Sequence, residues 1–445
     1  MSTLIGLDIG TTSISAVAIR ASDGQVLRAI TVPNPGAAPT ADQPPHVQDS
    51  AAILRTVFRL KEDLAAQYPP LAAIGLTGQM HSILYLDRAG QAVSPLYTWQ
   101  DPRGELPWGG GTYASVLSRE CGYPLASGYG LLTHFINCRQ GLVPPEAAAI
   151  STIADYAAMR LCGLSAPLLH ASNAASLGCF SLSRGAFDND ALRHLGVSCA
   201  PDVSSETAVL GRCGGVPVAL AIGDNQASVL GALGAGGVLV NIGTGSQVSA
   251  VADAPCAFPA GEVRPYVDGR FLLVGAPLCG GRAYALLHRF FARCAACFGG
   301  DDRDIYAAMN ALAAQDPQRH TLTVDPRFCG TRADPALRGA IRAISEDNFS
   351  PEELIRGVLW GMADELHSLY REMPLPAPAH TLVGSGNAVR ENPVLRQYLA
   401  QQFALPLRSP IHREEAAFGA AVFAAAAAGI YPDTARAQNT LVHLT

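Results

Sequence analysis

The chain has 445 residues, of which 49% are hydrophobic and 15% charged, and a formal net charge of −6. That length exceeds the size at which single cores stop growing, so two domains of roughly 200 residues each are expected. A mildly acidic balance without a block of like charges argues against a nucleic-acid partner or an anionic-membrane surface.

From the N-terminus, apolar runs predict strands over residues 3–9, 14–20, 25–32 and 71–77. A Pro-rich surface loop from Pro33 to Pro45 and a helix from Val47 to Gln67 are expected between the last two. The alternation of strand and helix patterns is that of an α/β protein. The N-terminus enters its first strand almost at once, with no basic segment followed by an apolar stretch, so no secretory leader is expected. Eleven scattered cysteines in such a chain suit reduced thiols in the cytoplasm. Cys294 and Cys297 form a lone Cys-x-x-Cys with no second pair or histidine nearby. Two thiols on one helix face account for it better than zinc or redox chemistry.

The first strand pair carries the most informative turn. Leu4-Ile5-Gly6-Leu7-Asp8 runs into Gly10-Thr11-Thr12-Ser13 and out again, a hairpin whose turn is small and rich in donors. Glycine lets the backbone approach a ligand, and successive N–H groups and hydroxyls can converge on phosphate oxygens. One such turn could equally be an ordinary hairpin. A second copy changes the balance: Val238-Leu239-Val240-Asn241 runs into Gly243-Thr244-Gly245-Ser246, with Asn241 lying 233 residues after Asp8. A duplication at half-chain spacing implies two related domains, 1–232 and 233–445, gripping one polyphosphate from opposite sides.

Four further segments follow. Thr77-Gly78-Gln79-Met80-His81 places a glycine and polar or polarizable groups just beyond a buried strand, where α/β proteins commonly hold ligands. Thr98-Trp99-Gln100-Asp101-Pro102-Arg103 joins an apolar platform to hydrogen-bonding groups, as a polyhydroxylated ligand requires, although a loop histidine at 81 and a core tryptophan at 99 remain alternatives. The buried run Val218 to Ile222 delivers Gly223-Asp224-Asn225-Gln226 ahead of an Ala/Gly-rich helix. Asp224 there is either a chemical carboxylate or an N-cap. Leu382-Val383-Gly384-Ser385-Gly386-Asn387 is again a strand entering a glycine turn, suited to packing on an adenine or a phosphate; neither the dinucleotide fingerprint nor a P-loop is present. The alanine-rich run Ala416 to Tyr431 is too short to span a bilayer and reads as a buried helix, with Glu414 and Glu415 in its first turn and Gly429 as its stop.

Taken together and in this order, Asp8 to Ser13, Thr77 to His81, Gly223 to Gln226, Gly243 to Gly245 and Gly384 to Gly386 resemble the FGGY carbohydrate kinases of the actin-like ATPase superfamily. The resemblance covers essentially the whole chain. Thr98 to Arg103, Ala221 to Ser228 and Arg264 to Arg270 are most similar to the sedoheptulokinase branch, with xylulokinase the nearer familiar alternative. It implies two ribonuclease-H-like α/β domains with ATP and sugar meeting in a cleft between them. By that likeness Asp224 is the catalytic base, acting on a terminal sugar hydroxyl as it attacks the γ-phosphate. Asp8 holds Mg²⁺ through water. Gln79, Met80, His81, Trp99, Asp101, Asp224 and Asn225 contact the sugar. Gly10, Thr11, Thr12, Ser13, Gly243, Thr244 and Gly245 hold phosphate, and Gly384, Ser385, Gly386 and Asn387 line the adenosine site. Many relatives carry Lys or Arg where this chain has Ser15. A nucleotide switch without sugar chemistry is the reading from another class, and it has no need for the 79–81 and 99–101 segments.

Overall fold

The computed structural model describes residues 2–37, 46–234, 236–300, 304–331, 334 and 336–445. Contacts divide the chain into two units, which are not made by a single cut. The first comprises Met1–Gly234 with Arg264–Phe271 and His412–His443, and the second Ala235–Val263, Leu272–Ile411 and Leu444–Thr445.

The first unit is built on strands β1 (Thr3–Ile9), β2 (Ser13–Arg20) and β3 (Val26–Pro33), helix α1 (Ser50–Gln67), β4 (Leu71–Gly78), helix α2 (Ile153–Leu161), β5 (Val209–Cys213), β6 (Val216–Ala219), β7 (Ile222–Gly223) and helix α3 (Asp224–Ala232). The four expected early strands appear within a residue of their predicted ends. Helix α1 starts later than the expected Val47: Asp49 caps it by accepting from the N–H groups of Ala51 and Ala52, and Val47–Gln48 instead pair with Leu96–Tyr97. Of the expected Pro33–Pro45 loop, residues 38–45 lie outside the described residues, while Pro35–Ala37 form a 3₁₀ turn. The sheet runs β5-β6-β4-β1-β2-β3, with β7 also joined to β4. β1 is antiparallel to β2 with Asp8 opposite Ser15, and parallel to β4 with Asp8 opposite Thr77. Apolar side chains of β1, β2 and β4 pack on Ile53, Val57, Leu60 and Leu64 of α1 and on Ile153 and Ala157 of α2. A separate core around Tyr85, Leu117, Leu131, Leu169 and Leu177 organises the segment between β4 and β5.

The second unit repeats this plan with β8 (Gly237–Ile242), β9 (Ser246–Ala252), β10 (Glu262–Pro265), β11 (Phe271–Gly275), helix α4 (Pro351–Arg371), β12 (Thr381–Ser385), helix α5 (Pro393–Phe403) and β13 (Leu407–Arg408). Its sheet runs β10-β11-β9-β8-β12-β13. Here Asn241 lies opposite Gln247 in the antiparallel pair and opposite Ser385 in the parallel pair. The repeat seen in the two turns therefore extends to a third strand, the hairpin-plus-parallel-strand arrangement expected of a ribonuclease-H-like core. Val238 and Val240 of β8 and Leu382 of β12 pack with Ile355, Leu359 and Leu366 of α4 and Tyr398 of α5.

The alanine-rich stretch forms the helix Glu415–Ala427, almost wholly buried, and its chain turns at Gly429, whose φ is +72°. It packs in the first unit, and the reason is steric. A Cβ on Gly6 of β1 would lie 1.8 Å from the Ala417 carbonyl oxygen, and one on Gly75 of β4 1.9 Å from that of Ala420. Gly419 faces α3 in the same manner, its Cβ position 1.8 Å from the Ala227 oxygen. Backbone meets backbone on both sides of this helix, so only small residues fit along it.

Candidate active site

Asp8 is the penultimate residue of strand β1, and the chain turns at Gly10. The turn is held from below by amides from other elements: Asn34 Nδ2 donates to the Gly10 carbonyl at 2.9 Å and Gln48 Nε2 to that of Thr11 at 2.9 Å. Gln79, expected to contact sugar, is buried here; its Nε2 donates to Gln48 Oε1, and its Oε1 accepts from Ser82 at 3.3 Å and from Thr11 at 3.5 Å. Its side chain braces the turn. Thr12 is exposed at the tip, with Gly10, Thr11 and Ser13 half-buried. Asn34 and Gln48 were not singled out in the sequence, because isolated amides carry no spacing signal.

Trp99 is 47% exposed rather than a core residue, and its indole Nε1 donates to Thr11 Oγ1 at 2.9 Å. An aromatic face open to solvent thus stands beside the first turn. Asp101 is committed elsewhere: both carboxylate oxygens receive the Arg103 guanidinium, down to 2.6 Å, and Oδ1 caps the short helix by accepting from Arg103 N–H. Arg103 in turn donates to Asn137 and Gln140. The carboxylate expected to bind sugar therefore anchors the loop that presents Trp99. His81 has φ +70°, bonds through Nδ1 to the Ser176 carbonyl at 2.6 Å and stacks on Tyr129 at 4.6 Å. Met80 lies beneath Gly223, its sulfur 2.8 Å from where a Cβ would stand.

The expected continuous strand Val218–Ile222 is broken: β6 ends at Ala219 and β7 restarts at Ile222, pairing Gly223 with Gly78 of β4. That offset brings Asp224 to the sheet end carrying Asp8. Asp224 is the first residue of α3 rather than its cap, Gly223 holding the capping position. Its carboxylate accepts the Asn225 N–H at 2.7 Å. Burial pushes its pKa up to about 6, against the opposing pull of the Asn225 N–H and the Arg264 guanidinium. Arg264 also donates to Asn225 Oδ1 at 3.2 Å.

Asp8 is pushed further, to about 7, first by burial and then by the negative charges of Asp224 and Glu414. Its Oδ1 is buried without a hydrogen-bond partner among the described residues. Glu414 is the third carboxylate of this group. In the sequence it reads only as part of a helix start; it stands at the N-cap of that helix, but its side chain makes no capping bond and instead accepts from Thr31 Oγ1 at 3.0 Å. Thr31 bonds in turn to Ser15 Oγ at 3.0 Å. A hydroxyl relay from Glu414 through Thr31 therefore reaches Ser15, the residue opposite Asp8. Three carboxylates, with the Arg264 guanidinium acting on Asp224, form a negative centre that a divalent metal would relieve. Among the described residues, no three carboxylate, imidazole or thiol groups converge closely enough to ligate a metal.

In the second unit the turn Gly243-Thr244-Gly245 is exposed, closed by Gly243 N–H donating to the Gly245 carbonyl at 2.9 Å, and open space lies where Cβ atoms of its glycines would point. Asn241, at the position equivalent to Asp8, donates to Ser385 Oγ at 2.8 Å. Ser385 is buried and Asn387 exposed. Gly384 and Gly386 are small for internal reasons: their Cβ atoms would stand 2.7 Å from Val389 Cγ1 and 2.5 Å from the Ile242 carbonyl oxygen. Cys294 and Cys297 are free thiols within the helix Gly281–Cys297.

The profile described as "FGGY family of carbohydrate kinases, N-terminal domain" matches residues 3–231, and that of the C-terminal domain matches residues 238–428. The mouse (Mus musculus) sedoheptulokinase is 30% identical, with 94% of this chain and 96% of that protein covered. A glycerol kinase of Bradyrhizobium diazoefficiens is 27% identical, covering 97% of this chain and 91% of the relative. Among solved structures, a ligand-bound xylulose kinase from Lactobacillus acidophilus superposes with a TM-score of 0.81 at 20% identity, covering 100% of this chain and 93% of that one. A gluconate kinase from the same organism gives 0.82 at 19% identity, covering 100% and 92%.

Proposed function

The chain belongs to the FGGY family of carbohydrate kinases, and from that premise we propose that it phosphorylates the terminal hydroxyl of a ketose, sedoheptulose first, with Asp224 as the catalytic base. The protein is an ATP-dependent sugar phosphotransferase with two ribonuclease-H-like α/β domains. The sugar's identity rests on the sedoheptulokinase relatives; xylulose is the alternative.

The observation that carries the mechanism is the placement of Asp224. It sits at a strand–helix junction, with its pKa raised to about 6, beside Asp8 and in the same unit as Trp99 and Thr11. A carboxylate so tuned is largely ionised at neutral pH yet basic enough to take a proton from an alcohol as it attacks phosphorus. Phosphoryl transfer depends chiefly on positioning and on neutralising charge over the phosphate oxygens. The donor groups of Gly10 to Ser13 and of Gly243 to Gly245 supply those contacts, and the half-exposed face of Trp99 offers a platform for the carbon chain of the sugar. Gly384 to Asn387 border the adenosine. Asp8, with its unpartnered Oδ1, would hold Mg²⁺ through water, Glu414 adding charge nearby; when bound, that ion would offset the β- and γ-phosphate charge. Residues 1–232 then form the sugar-binding half and 233–445 most of the nucleotide-binding half. Eleven free thiols and the absence, among the described residues, of a helix long and apolar enough to cross a membrane support a cytoplasmic location.

Coupled ADP release across sedoheptulose, xylulose, ribulose, fructose and glycerol, compared as kcat/KM, tests the proposal. The highest value is expected with sedoheptulose. A maximum with xylulose would overturn the substrate while leaving the chemistry; sugar-independent ADP release with all five would favour a nucleotide switch.

A further inference from the structure

The three backbone groups that lead into Asp224 are each held by a side chain. The Ala221 carbonyl accepts from Asn173 Nδ2 at 3.2 Å, the Ile222 carbonyl from Thr77 Oγ1 at 2.7 Å, and the Gly223 N–H donates to Ser172 Oγ at 3.0 Å. Strand β7 is only two residues long, and Gly223 has no side chain of its own to pack. The direction in which Asp224 leaves the sheet is therefore set largely by these bonds.

We infer that Ser172 and His170 are positioning residues for the carboxylate of Asp224, His170 orienting the Ser172 hydroxyl so that its oxygen accepts the Gly223 N–H. This inference rests on the reading of Asp224 as the base. The polarity of the relay follows from its geometry. His170 Nδ1 receives the Ser172 backbone N–H at 3.2 Å, and an N–H can only donate, so Nδ1 is the unprotonated nitrogen. The Ser172 hydroxyl, 2.8 Å from the same Nδ1, must then be the donor, which leaves its lone pairs for Gly223. The ring proton lies on Nε2, a buried atom with no hydrogen-bond partner among the described residues. His170 and Ser172 are buried, and the imidazole stands edge-on to Phe423 at 5.6 Å; a half-turn of the ring would set Cδ2 in place of Nδ1 and forfeit both bonds to Ser172. Burial holds its pKa down at about 4, keeping it neutral and the relay in one sense at physiological pH. A second arm supports the first: Asn173, which holds Ala221, also donates to Asp155 Oδ2 at 2.9 Å, and Asp155 accepts from Thr152 Oγ1 at 2.5 Å.

A merely structural pair would affect folding or substrate affinity. A positioning pair affects turnover, because small misplacement of a reacting group can cost about 10²-fold. Ser172→Ala and His170→Val are expected to lower kcat by about 10- to 100-fold, with KM for sugar and for ATP within about twofold of wild type. His170→Asn, whose carbonyl oxygen can still accept the Ser172 hydroxyl, is expected to recover most of the loss. Amide hydrogen exchange of the wild-type protein reads the bond without any variant: Gly223 N–H should be protected. Wild-type kcat in folded Ser172→Ala, a loss confined to KM, His170→Asn no better than His170→Val, or unprotected Gly223 would each overturn the inference. Retained turnover in Asp224→Ala would instead refute the assignment of the base.

Discussion

Replacing Gly419 by alanine tests the packing that carries Asp224 and Glu414. The added Cβ would stand 1.8 Å from the Ala227 oxygen, 2.7 Å from the Ala227 carbonyl carbon and 2.8 Å from the Gly231 nitrogen. A close carbon–oxygen contact is about 3.3 Å, so α3 and the helix Glu415–Ala427 must part by about 1.5 Å. All three clashing atoms are backbone and cannot rotate aside. Alanine gains about 1 kcal/mol over glycine in helix propensity, while overpacking of a dense core costs about 1–3 kcal/mol, and a clash this severe lies at or beyond the upper end. The steric effect wins, leaving a net destabilisation of about 2 kcal/mol and a fall in Tm of several degrees. Because α3 begins at Asp224, a shift of this size should also lower kcat by up to about 10²-fold. Thermal melting and coupled ADP release measure the two effects. A variant with wild-type Tm and wild-type kcat would refute the claim that glycine is required at this crossing.

Asp224→Asn should fold and bind nucleotide but lose about 10²- to 10⁴-fold in kcat; coupled ADP release with a separate nucleotide-binding titration distinguishes the two. Activity should fall as pH drops through about 6, where Asp224 takes up its proton. Stability has the opposite sign. Asp8 and Asp224 have folded pKa values raised to about 7 and 6, so the folded chain binds more protons than the unfolded between about pH 4 and 7, and the nucleotide-free, metal-free protein should lose stability as pH rises across that window. Added Mg²⁺ should accordingly raise Tm more at pH 8 than at pH 5.5. Trp99→Phe keeps an aromatic face but removes the N–H bonded to Thr11; a loss of about 0.5–1.5 kcal/mol predicts a kcat/KM lower by about two- to twelvefold, with Tm unchanged. In the second unit Glu353 and Arg356 form a buried ion pair at 2.7 Å, and Glu353→Ala, which strands the arginine, should cost about 3–5 kcal/mol by denaturant titration.

What was legible in the chain follows from local physics. The early strands and the buried alanine-rich helix were readable because apolar periodicity and helix-end residues act over a few positions. The duplicated turns were readable because a donor-rich hairpin must spell itself out in consecutive residues. Asp224 was visible for the same reason, as an ionisable group at the end of an apolar run. The hydrogen bonds that Asp101 makes to Arg103 and Gln79 makes to Gln48 could not be read from the sequence, because a side chain's type does not say which neighbour takes up its hydrogen bonds.

Sequence alone therefore determined the strand-turn-strand repeat, the α/β class and the residue types available at each turn. Tertiary structure decided which of those groups share an environment. Glu414 joins Asp8 and Asp224 because Gly6, Gly75, Gly231 and Gly419 let a helix from the far end of the chain lie against β1, β4 and α3, a requirement of close backbone approach that leaves no pattern near Glu414. The same holds for Ser172, oriented by His170, which meets Gly223 across 51 residues: electrostatics and hydrogen bonding act through distance, and distance in the folded chain is not ordered by position along it.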